Sequence, residues 1–420
     1  MSDTTQDTLP RSTPAWKWKD AFRIGPDLIP ILFAFAASFW FTVELPRSDD
    51  WQLVPVIERF RAGTADFAFL AAPFNQHVML VSYPVMAALA MATHWNTVVM
   101  QMAGMVFYLV GWLAFRADGR HGPWRLLLAA LFFWGLHQYG NFLWMWQIAC
   151  LLSFAMVFWA LRLVSAGAGG GSSRIAFAGA LALAWGASLS YGMGLCVWPA
   201  LLFVLAVQRE WRRFAAAGLA LLVLGALFFR GAAHAGAGEG EGHGGLLHVL
   251  AYFFTMWGSP LAPLRYGLAA ACGVAGFLLF LWTMRKGDPF IRAMGVFGVA
   301  GMALVTYSRC TESAAWSLAA NSRYGILAML AWLPVLFLLP ARGWRVGLLV
   351  LLGLMVTARS AARVRDMDDI RKASLESAYA LRHHLPGGTA LRSSQTDEEI
   401  ARYAALLEEW RYSVFRKGND

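Results

Sequence analysis

Long apolar stretches alternate with short polar segments along almost the whole chain, and this alternation is the strongest signal in the sequence. Most of the stretches approach the roughly 20 residues that a helix needs to cross a bilayer. The pattern therefore predicts an all-α, polytopic membrane protein with about eleven transmembrane helices. They are predicted near residues 28–45, 96–115, 125–138, 142–162, 174–190, 193–208, 214–229, 265–284, 290–307, 324–339 and 345–358.

Two further apolar stretches, 77–94 and 246–261, decide the topology. Arginine and lysine are enriched in cytoplasmic loops, so their distribution tests each arrangement. If both stretches lie along the outer surface, the inner side carries 17 Lys and Arg residues and the outer loops carry 7. If 77–94 crosses instead, most of this bias is lost. We therefore predict that both stretches are surface segments.

This topology divides the chain into three parts. Residues 1–27 are predicted to form a cytoplasmic N-terminal tail, residues 28–358 the membrane domain, and residues 359–420 an extracytoplasmic tail with helical pattern in 364–384 and 396–414. The outer loops are 46–95, 230–264 and 308–323, and the glycine-rich segment 236–245 is predicted to be a mobile lid.

Composition supports a membrane protein and excludes other classes. The chain has 420 residues, of which 58% are hydrophobic and 14% are charged. A soluble domain does not need so many long apolar runs. The net charge of +10 is distributed over loops between helices, so it does not indicate a nucleic-acid partner.

An acid pair directly follows the first apolar helix. Asp49 and Asp50 open a segment in which Leu53, Val56, Ile57 and Phe60 recur at helical spacing, which predicts a short helix lying on the bilayer. The acids could cap this helix and complement its dipole. Alternatively, a carboxylate at a water-poor interface has a raised pKa and can act as a general base. The local pattern leaves both interpretations open.

Two polar clusters are candidates for sugar binding. Asn75, Gln76 and His77 close the same loop, and they could bind hydroxyls or phosphate or simply cap the following segment. Gln138 and Asn141 lie among aromatic residues at the outer ends of two predicted helices. Such aromatics form either an interfacial belt or the wall of a sugar site.

A basic cluster marks the outer end of the predicted tenth helix. Arg323 and Tyr324 enter this helix from outside, and Arg309 lies upstream. An arginine fork suits a phosphate, although a lipid-headgroup contact explains an arginine at this depth equally well.

The order of these features resembles the GT-C class of membrane glycosyltransferases, and most of all its protein mannosyltransferase and aminoarabinose transferase branch. The resemblance covers the architecture of residues 28–358, and its motifs are short. It is carried by Asp49-Asp50-Trp51, Glu58-Arg59, Asn75-Gln76-His77 and Trp95-Asn96, with weaker similarity at 141–144, 194–199 and 322–324.

The resemblance implies inverting transfer of a sugar from a polyprenyl-phosphate donor on the outer membrane face. Asp49 would then be the base or acceptor-orienting group, with Asp50 beside it, and Arg323 and Arg309 would hold the lipid phosphate. Many members carry another acid in the loop corresponding to 137–142, where this chain has Gln138 and Asn141. No cofactor is therefore predicted, and a divalent metal has no support from the sequence.

The sequence thus predicts a glycosyltransferase of a bacterial inner membrane, with its active site facing the periplasm or exterior. Its expected partners are a polyprenyl-phosphate-linked sugar, an unidentified acceptor and membrane lipid. The alternatives are a lipid or polysaccharide transporter or flippase, and a non-catalytic envelope assembly protein. A transporter usually places ionisable groups at mid-membrane, whereas here they gather at the outer rim.

Overall fold

The computed structural model describes residues 24–74, 77–117, 121–166, 173–232, 245–262, 266–285, 287–310, 319, 322–340, 342–385 and 395–416. Its fold is all-helical, as predicted. The α-helices are α1 (Leu28–Phe41), α2 (Leu53–Ala62), α3 (Phe67–Ala71), α4 (Ser82–Ala92), α5 (Thr97–Arg116), α6 (Pro123–Phe133), α7 (Tyr139–Leu143), α8 (Ile148–Ser165), α9 (Arg174–Ser188), α10 (Val197–Val207), α11 (Trp211–Ala232), α12 (Leu246–Gly258), α13 (Tyr266–Thr283), α14 (Pro289–Arg309), α15 (Gly325–Leu338), α16 (Trp344–Arg382) and α17 (Asp397–Trp410).

Six helical segments in the described part of the chain are long and apolar enough to cross a membrane. Six further apolar helices in the described part of the chain have 10–17 residues. The protein therefore has the character of a multi-pass membrane protein, and the predicted number of eleven crossings stays a prediction. The six segments are Thr97–Arg116, Pro123–Leu143, Met145–Ser165, Tyr266–Thr283, Pro289–Arg309 and Trp344–Arg382.

The connections between helices gather at two ends of the bundle. At one end, Trp146 N donates to Asp50 (3.1 Å), Gly140 N to Ser322 Oγ (3.1 Å) and Val81 N to the carbonyl of Leu189 (3.1 Å). These contacts unite the segments that the sequence assigns to the outer side. We call this end the loop end.

The opposite end contains a buried ion pair. Asp27 and Arg116 are 3.5 Å apart, and Trp112 Nε1 donates to the same carboxylate at 3.1 Å. Arg125 donates to the carbonyls of Phe337 and Leu339 nearby in the same layer of loops. Removing one partner of a buried ion pair leaves an uncompensated charge, so the pair is costly to break. The Asp27–Arg116 pair therefore holds the start of α1 against the end of α5.

The second predicted surface stretch, residues 246–261, forms α12, and its placement along the outer surface stays a prediction. The C-terminal half of this helix is buried against its neighbours, where the Trp257 carbonyl accepts a hydrogen bond from Trp332 Nε1 (3.1 Å). Gly258 and Gly273 bring the backbones of α12 and α13 into direct contact. Glycine has no Cβ, so these two positions permit the close approach of the helices.

The last transmembrane helix and the start of the tail are one continuous helix. A boundary was predicted at residues 358 and 359, but α16 runs through it for 39 residues, or about 58 Å. No glycine or proline occurs between Gly353 and Arg382, so nothing in the sequence ends the helix there. Beyond it, α17 and a 3₁₀ turn at Ser413–Phe415 fold back toward the loop end.

We expect Gly273→Leu to lower the stability of the protein by about 3 kcal/mol or more, because a side chain there meets the backbone of Phe254. The matched control is Gly267→Leu on the same helix, where a Cβ has open space. Thermal unfolding of the purified variants in detergent measures both. Equal midpoints for the two variants would show that α12 and α13 are not in close contact.

Candidate functional site

A cavity of about 380 Å³ opens at the loop end of the bundle. It receives side chains from the acid-pair segment, from the loops before α4 and α10, and from both sides of the α14–α15 connection. Its lining residues are Ser48, Asp49, Phe74, His77, Trp144, Trp146, Tyr191, Gly192, Met193, Leu195, Leu304, Val305, Ser308, Arg309, Arg323 and Tyr324.

A second, more open groove of about 440 Å³ lies beside this cavity. The two share Ser48, Trp144 and Arg323, so the guanidinium group of Arg323 belongs to the wall between them. The continuous helix α16 supplies the far side of the groove. The remaining lining residues are Arg47, Gly140, Ile370, Ala373 and Ser374.

The acid pair lies on a 3₁₀ helix, Ser48–Gln52, and its two members have different surroundings. Asp49 lines the cavity, whereas Asp50 is only 1% exposed. The Asp50 carboxylate accepts hydrogen bonds from the backbone N–H of Arg47 (2.9 Å) and of Trp146 (3.1 Å). Asp50 therefore ties the segment to the loop before α8, and we assign it a positioning role beside Asp49.

The backbone at the start of this segment is strained. Ser48 has a φ of +50°, a left-handed conformation that costs a non-glycine residue about 1 kcal/mol or more. The two hydrogen bonds to Asp50 span this strained turn and hold it. A strained backbone conformation persists only where surrounding contacts hold it in place, as the two hydrogen bonds to Asp50 do here.

Electrostatics distinguish the two acids further. Burial raises the pKa of the Asp50 carboxyl to about 7, against the opposing effects of the Arg47 N–H and the Arg47 charge. Burial also raises the pKa of Asp49, and the charges of Arg323 and Arg309 oppose that rise. Asp49 is thus a partly desolvated carboxylate held near two cations, which is a suitable setting for a general base.

His77 stands at the cavity wall as a neutral ring. Its imidazole packs on Tyr191 with the ring centroids 4.4 Å apart, and burial lowers its pKa to about 4, with the Arg309 and Arg323 charges acting in the same direction. A Cβ on Gly192 would overlap Nδ1 of His77, so the glycine is required for this contact. A neutral imidazole can both donate and accept hydrogen bonds, which suits a sugar hydroxyl.

Arg323 is positioned by its own backbone and by aromatic rings. Asn141 Nδ2 donates to the Arg323 carbonyl at 3.2 Å, and the Arg323 guanidinium carbon lies 5.7 Å from the ring centroid of Trp144 and 4.9 Å from that of Tyr324. Gln138 accepts a hydrogen bond from Asn141 (3.2 Å) and donates to the Phe133 carbonyl. Gln138 and Asn141 are buried and support this corner of the cavity without lining it.

The cavity therefore brings together five of the ten predicted site residues: Asp49, His77, Arg309, Arg323 and Tyr324. Asp50, Gln138 and Asn141 lie behind its wall. Asn75 and Gln76 lie outside the described residues, as does nearly all of the predicted lid 236–245.

Several lining residues were not predicted. Leu304, Val305 and Ser308 come from the last turns of α14, and as part of a transmembrane helix they look like ordinary core positions in the sequence. Only Arg309, immediately after them, marks this helix end. Tyr191 and Met193 belong to a glycine-containing turn that suggested backbone amides rather than side chains.

The C-terminal tail docks on the first outer loop. Ser413 N donates to the His94 carbonyl (2.9 Å), Arg416 pairs with Glu44 (3.1 Å), and Arg61 Nη1 donates to the Tyr412 hydroxyl (3.2 Å). We call residues 410–416 the strap. Because Glu44 precedes the acid pair by only five residues, the strap helps to hold the segment that carries Asp49.

Comparison with known proteins adds no assignment. No family model, no curated protein and no solved structure matches the chain. Among the described residues, no group of three or more His, Cys, Asp or Glu side chains is arranged to hold a metal ion.

We expect the wild-type protein to lose stability relative to Asp50→Asn as pH rises from about 4 to about 7. In this window the folded protein retains a proton on Asp50, whereas the same residue in the unfolded chain releases it at the usual aspartate pKa of 3.8. The slope is at most about 1.4 kcal/mol per pH unit. Unfolding midpoints of both proteins at pH 4.5, 5.5, 6.5 and 7.5 measure the difference, and parallel curves would contradict the burial of this carboxyl.

We expect Tyr412→Ala to loosen the first outer loop. Tyr412 is 4% exposed, and its loss removes the Arg61 contact and leaves a space under the strap, at a cost of about 3 kcal/mol. Hydrogen exchange of peptides covering residues 44–62 should accelerate. The control Tyr379→Ala, at a side chain that is 61% exposed, should leave exchange in these peptides unchanged.

Proposed function

We propose that this protein is a membrane glycosyltransferase that moves a sugar from a polyprenyl-phosphate donor to an envelope acceptor. One observation carries the proposal: a partly desolvated carboxylate, Asp49, lines the same cavity as two arginines and a neutral histidine. A base, a phosphate site and a hydrogen-bonding group for sugar are the parts that this reaction requires.

The charge of the cavity suits a phosphorylated donor. Its lining includes one carboxylate and two arginines, Arg309 and Arg323, so a bound anion brings the sum of these charges closer to zero. The planar guanidinium group of each arginine can bind phosphate oxygens through two parallel hydrogen bonds. As the sugar leaves, negative charge grows on the phosphate, and cations fixed in place stabilise that change most.

In the proposed reaction, the Asp49 carboxylate accepts the proton of the acceptor hydroxyl while the hydroxyl oxygen attacks the anomeric carbon of the sugar. The bond from that carbon to the phosphate oxygen breaks, and its electron pair leaves with the polyprenyl phosphate. The configuration at the anomeric carbon inverts. His77 and the aromatic wall of Trp144 and Trp146 orient the sugar.

The topology that goes with this proposal has eleven crossings and places the loop end outside a bacterial inner membrane. The positive-inside distribution supports that orientation. The tail and strap would then be extracytoplasmic, since they dock on the loop end.

We expect Asp49→Asn to reduce transfer by about 100-fold or more, because a general base contributes roughly that much to rate. The readout is mass spectrometry of envelope glycolipids and glycans from cells that carry the wild-type protein, no protein, or the variant. The matched control is Asp66→Asn, at an exposed N-cap where Asn caps as well as Asp.

The proposal requires that the null strain and Asp49→Asn lack the same sugar-bearing product while Asp66→Asn retains it. A transporter would instead leave the product chemistry intact and accumulate its substrate on one side of the membrane. Full product formation by a folded Asp49→Asn protein would refute the assignment of Asp49.

A further inference from the structure

A second cluster of basic side chains lies away from the cavity, between α16 and the segment that begins at Leu136. It consists of His137, Arg359 and Arg363. Arg359 and Arg363 are four residues apart and so lie on the same face of α16. The guanidinium carbon of Arg363 is 5.9 Å from the ring centroid of Tyr139, and both arginines act electrostatically on His137.

Two members of this cluster are almost completely buried. His137 is 3% exposed and Arg359 is 7% exposed. Within the described part of the chain, neither ring nitrogen of His137 has a hydrogen-bond partner, and Arg359 Nε has none either. Buried polar groups in folded proteins are nearly always satisfied, so each such atom needs an explanation.

The charge of the cluster is also incompletely balanced. Arg363 Nη1 pairs with Asp366, a carboxylate that is about one-third exposed. Arg359 forms no ion pair among the described residues, and an arginine does not lose its proton in a protein. The Asp366 charge acts on Arg359 without forming an ion pair with it. A buried charge that is only partly compensated is destabilising, so a bound anion would offset that penalty here.

The depth of the cluster identifies the chemistry of the anion. Arg359 and Arg363 lie 15 and 19 residues after the start of α16, or about 22 and 28 Å along it. The hydrocarbon core is about 30 Å thick, and from Arg359 onward charged residues become frequent in this helix. A hydrocarbon core of that thickness, counted from the start of α16, ends just beyond Arg363, so the cluster lies beside the interface that contains the phosphate groups of lipids.

We propose that His137, Arg359 and Arg363 form a binding site for a phosphate group at the membrane interface, separate from the cavity that contains Asp49. Arg359 supplies a fork of N–H donors for two phosphate oxygens, Arg363 supplies a second cation, and His137 donates one hydrogen bond. The site does not depend on the glycosyl-transfer proposal, since none of its residues lines the cavity.

The test uses the full-length protein, purified and delipidated in detergent. Dihexanoyl phosphatidic acid and inorganic phosphate are the two probes, and the thermal unfolding midpoint is measured as each is titrated. We expect the lipid to raise the wild-type midpoint, and we expect Arg359→Gln to bind it at least tenfold more weakly. The matched control is Arg365→Gln, at an exposed arginine on the same helix, which should bind like the wild type.

A second variant separates binding from folding. Arg359→Met keeps the volume of the side chain and removes its charge, so without any probe it should unfold at a higher temperature than the delipidated wild type. It should also lose the response to the probes. A purely structural arginine predicts the opposite, a lower midpoint for Arg359→Met, and that result would overturn the proposal.

The two probes distinguish the source of the phosphate. A response to the lipid alone assigns the site to a lipid phosphate, and an equal response to inorganic phosphate assigns it to the free anion. No response of the wild type to either probe would refute the site, as would an unchanged response in Arg359→Gln.

Discussion

The buried carboxylate of Asp50 is the contact on which the geometry of the cavity depends. It bonds two backbone N–H groups that come from different parts of the chain, at Arg47 and Trp146. Hydrogen bonds to an ionised acceptor are about twice as strong as neutral ones, but burial makes the ionised form expensive. The pKa of Asp50 is raised because the effect of burial is larger than that of these hydrogen bonds. The carboxylate holds a strained turn in place, and the neighbouring Asp49 is thereby directed to the cavity.

The two acids show why adjacent identical residues take different roles. Asp50 is enclosed by backbone and keeps its position, whereas Asp49 lines the cavity together with Arg309 and Arg323, whose charges act on it. Arg323 in turn depends on a buried amide, since Asn141 donates a hydrogen bond to its backbone carbonyl. Polar residues behind the wall thus define the positions of the charged residues in front of it, which is what preorganised electrostatic stabilisation requires.

The sequence predicted much of the fold because hydrophobic periodicity reports directly on helices. Some of the polar residues that it singled out also line one cavity, since Asp49, His77 and Arg323 all border apolar runs whose ends meet at the loop end. The sequence did not predict contacts that only the tertiary structure decides. The close packing of α12 on α13 depends on Gly258 and Gly273, whose use as contact points shows only when the two helices are paired.

The site was less predictable than the fold for a related reason. Asp49 and Asp50 have the same local pattern, and they are separated by the burial of Asp50 and by its hydrogen bonds from the Arg47 and Trp146 amides. Arg359 appears in the sequence as the first charge after a transmembrane run, which suggests an exposed residue at the start of a polar tail. Its burial follows from the continuity of α16, because the helix keeps one face against the bundle beyond the end of the apolar run.

That continuity links the membrane to the cavity. Because Arg359, Arg363, Ile370 and Ser374 belong to one helix of 39 residues, any contact that fixes the position of Arg359 and Arg363 also affects Ile370 and Ser374 in the groove beside Arg323. The tail that follows α16 ends in the strap on the first outer loop. A phosphate bound at Arg359 would therefore hold α16 at one depth. In that position the helix keeps the wall of the groove next to the segment that carries the acid pair. It also keeps the strap in contact with that part of the chain.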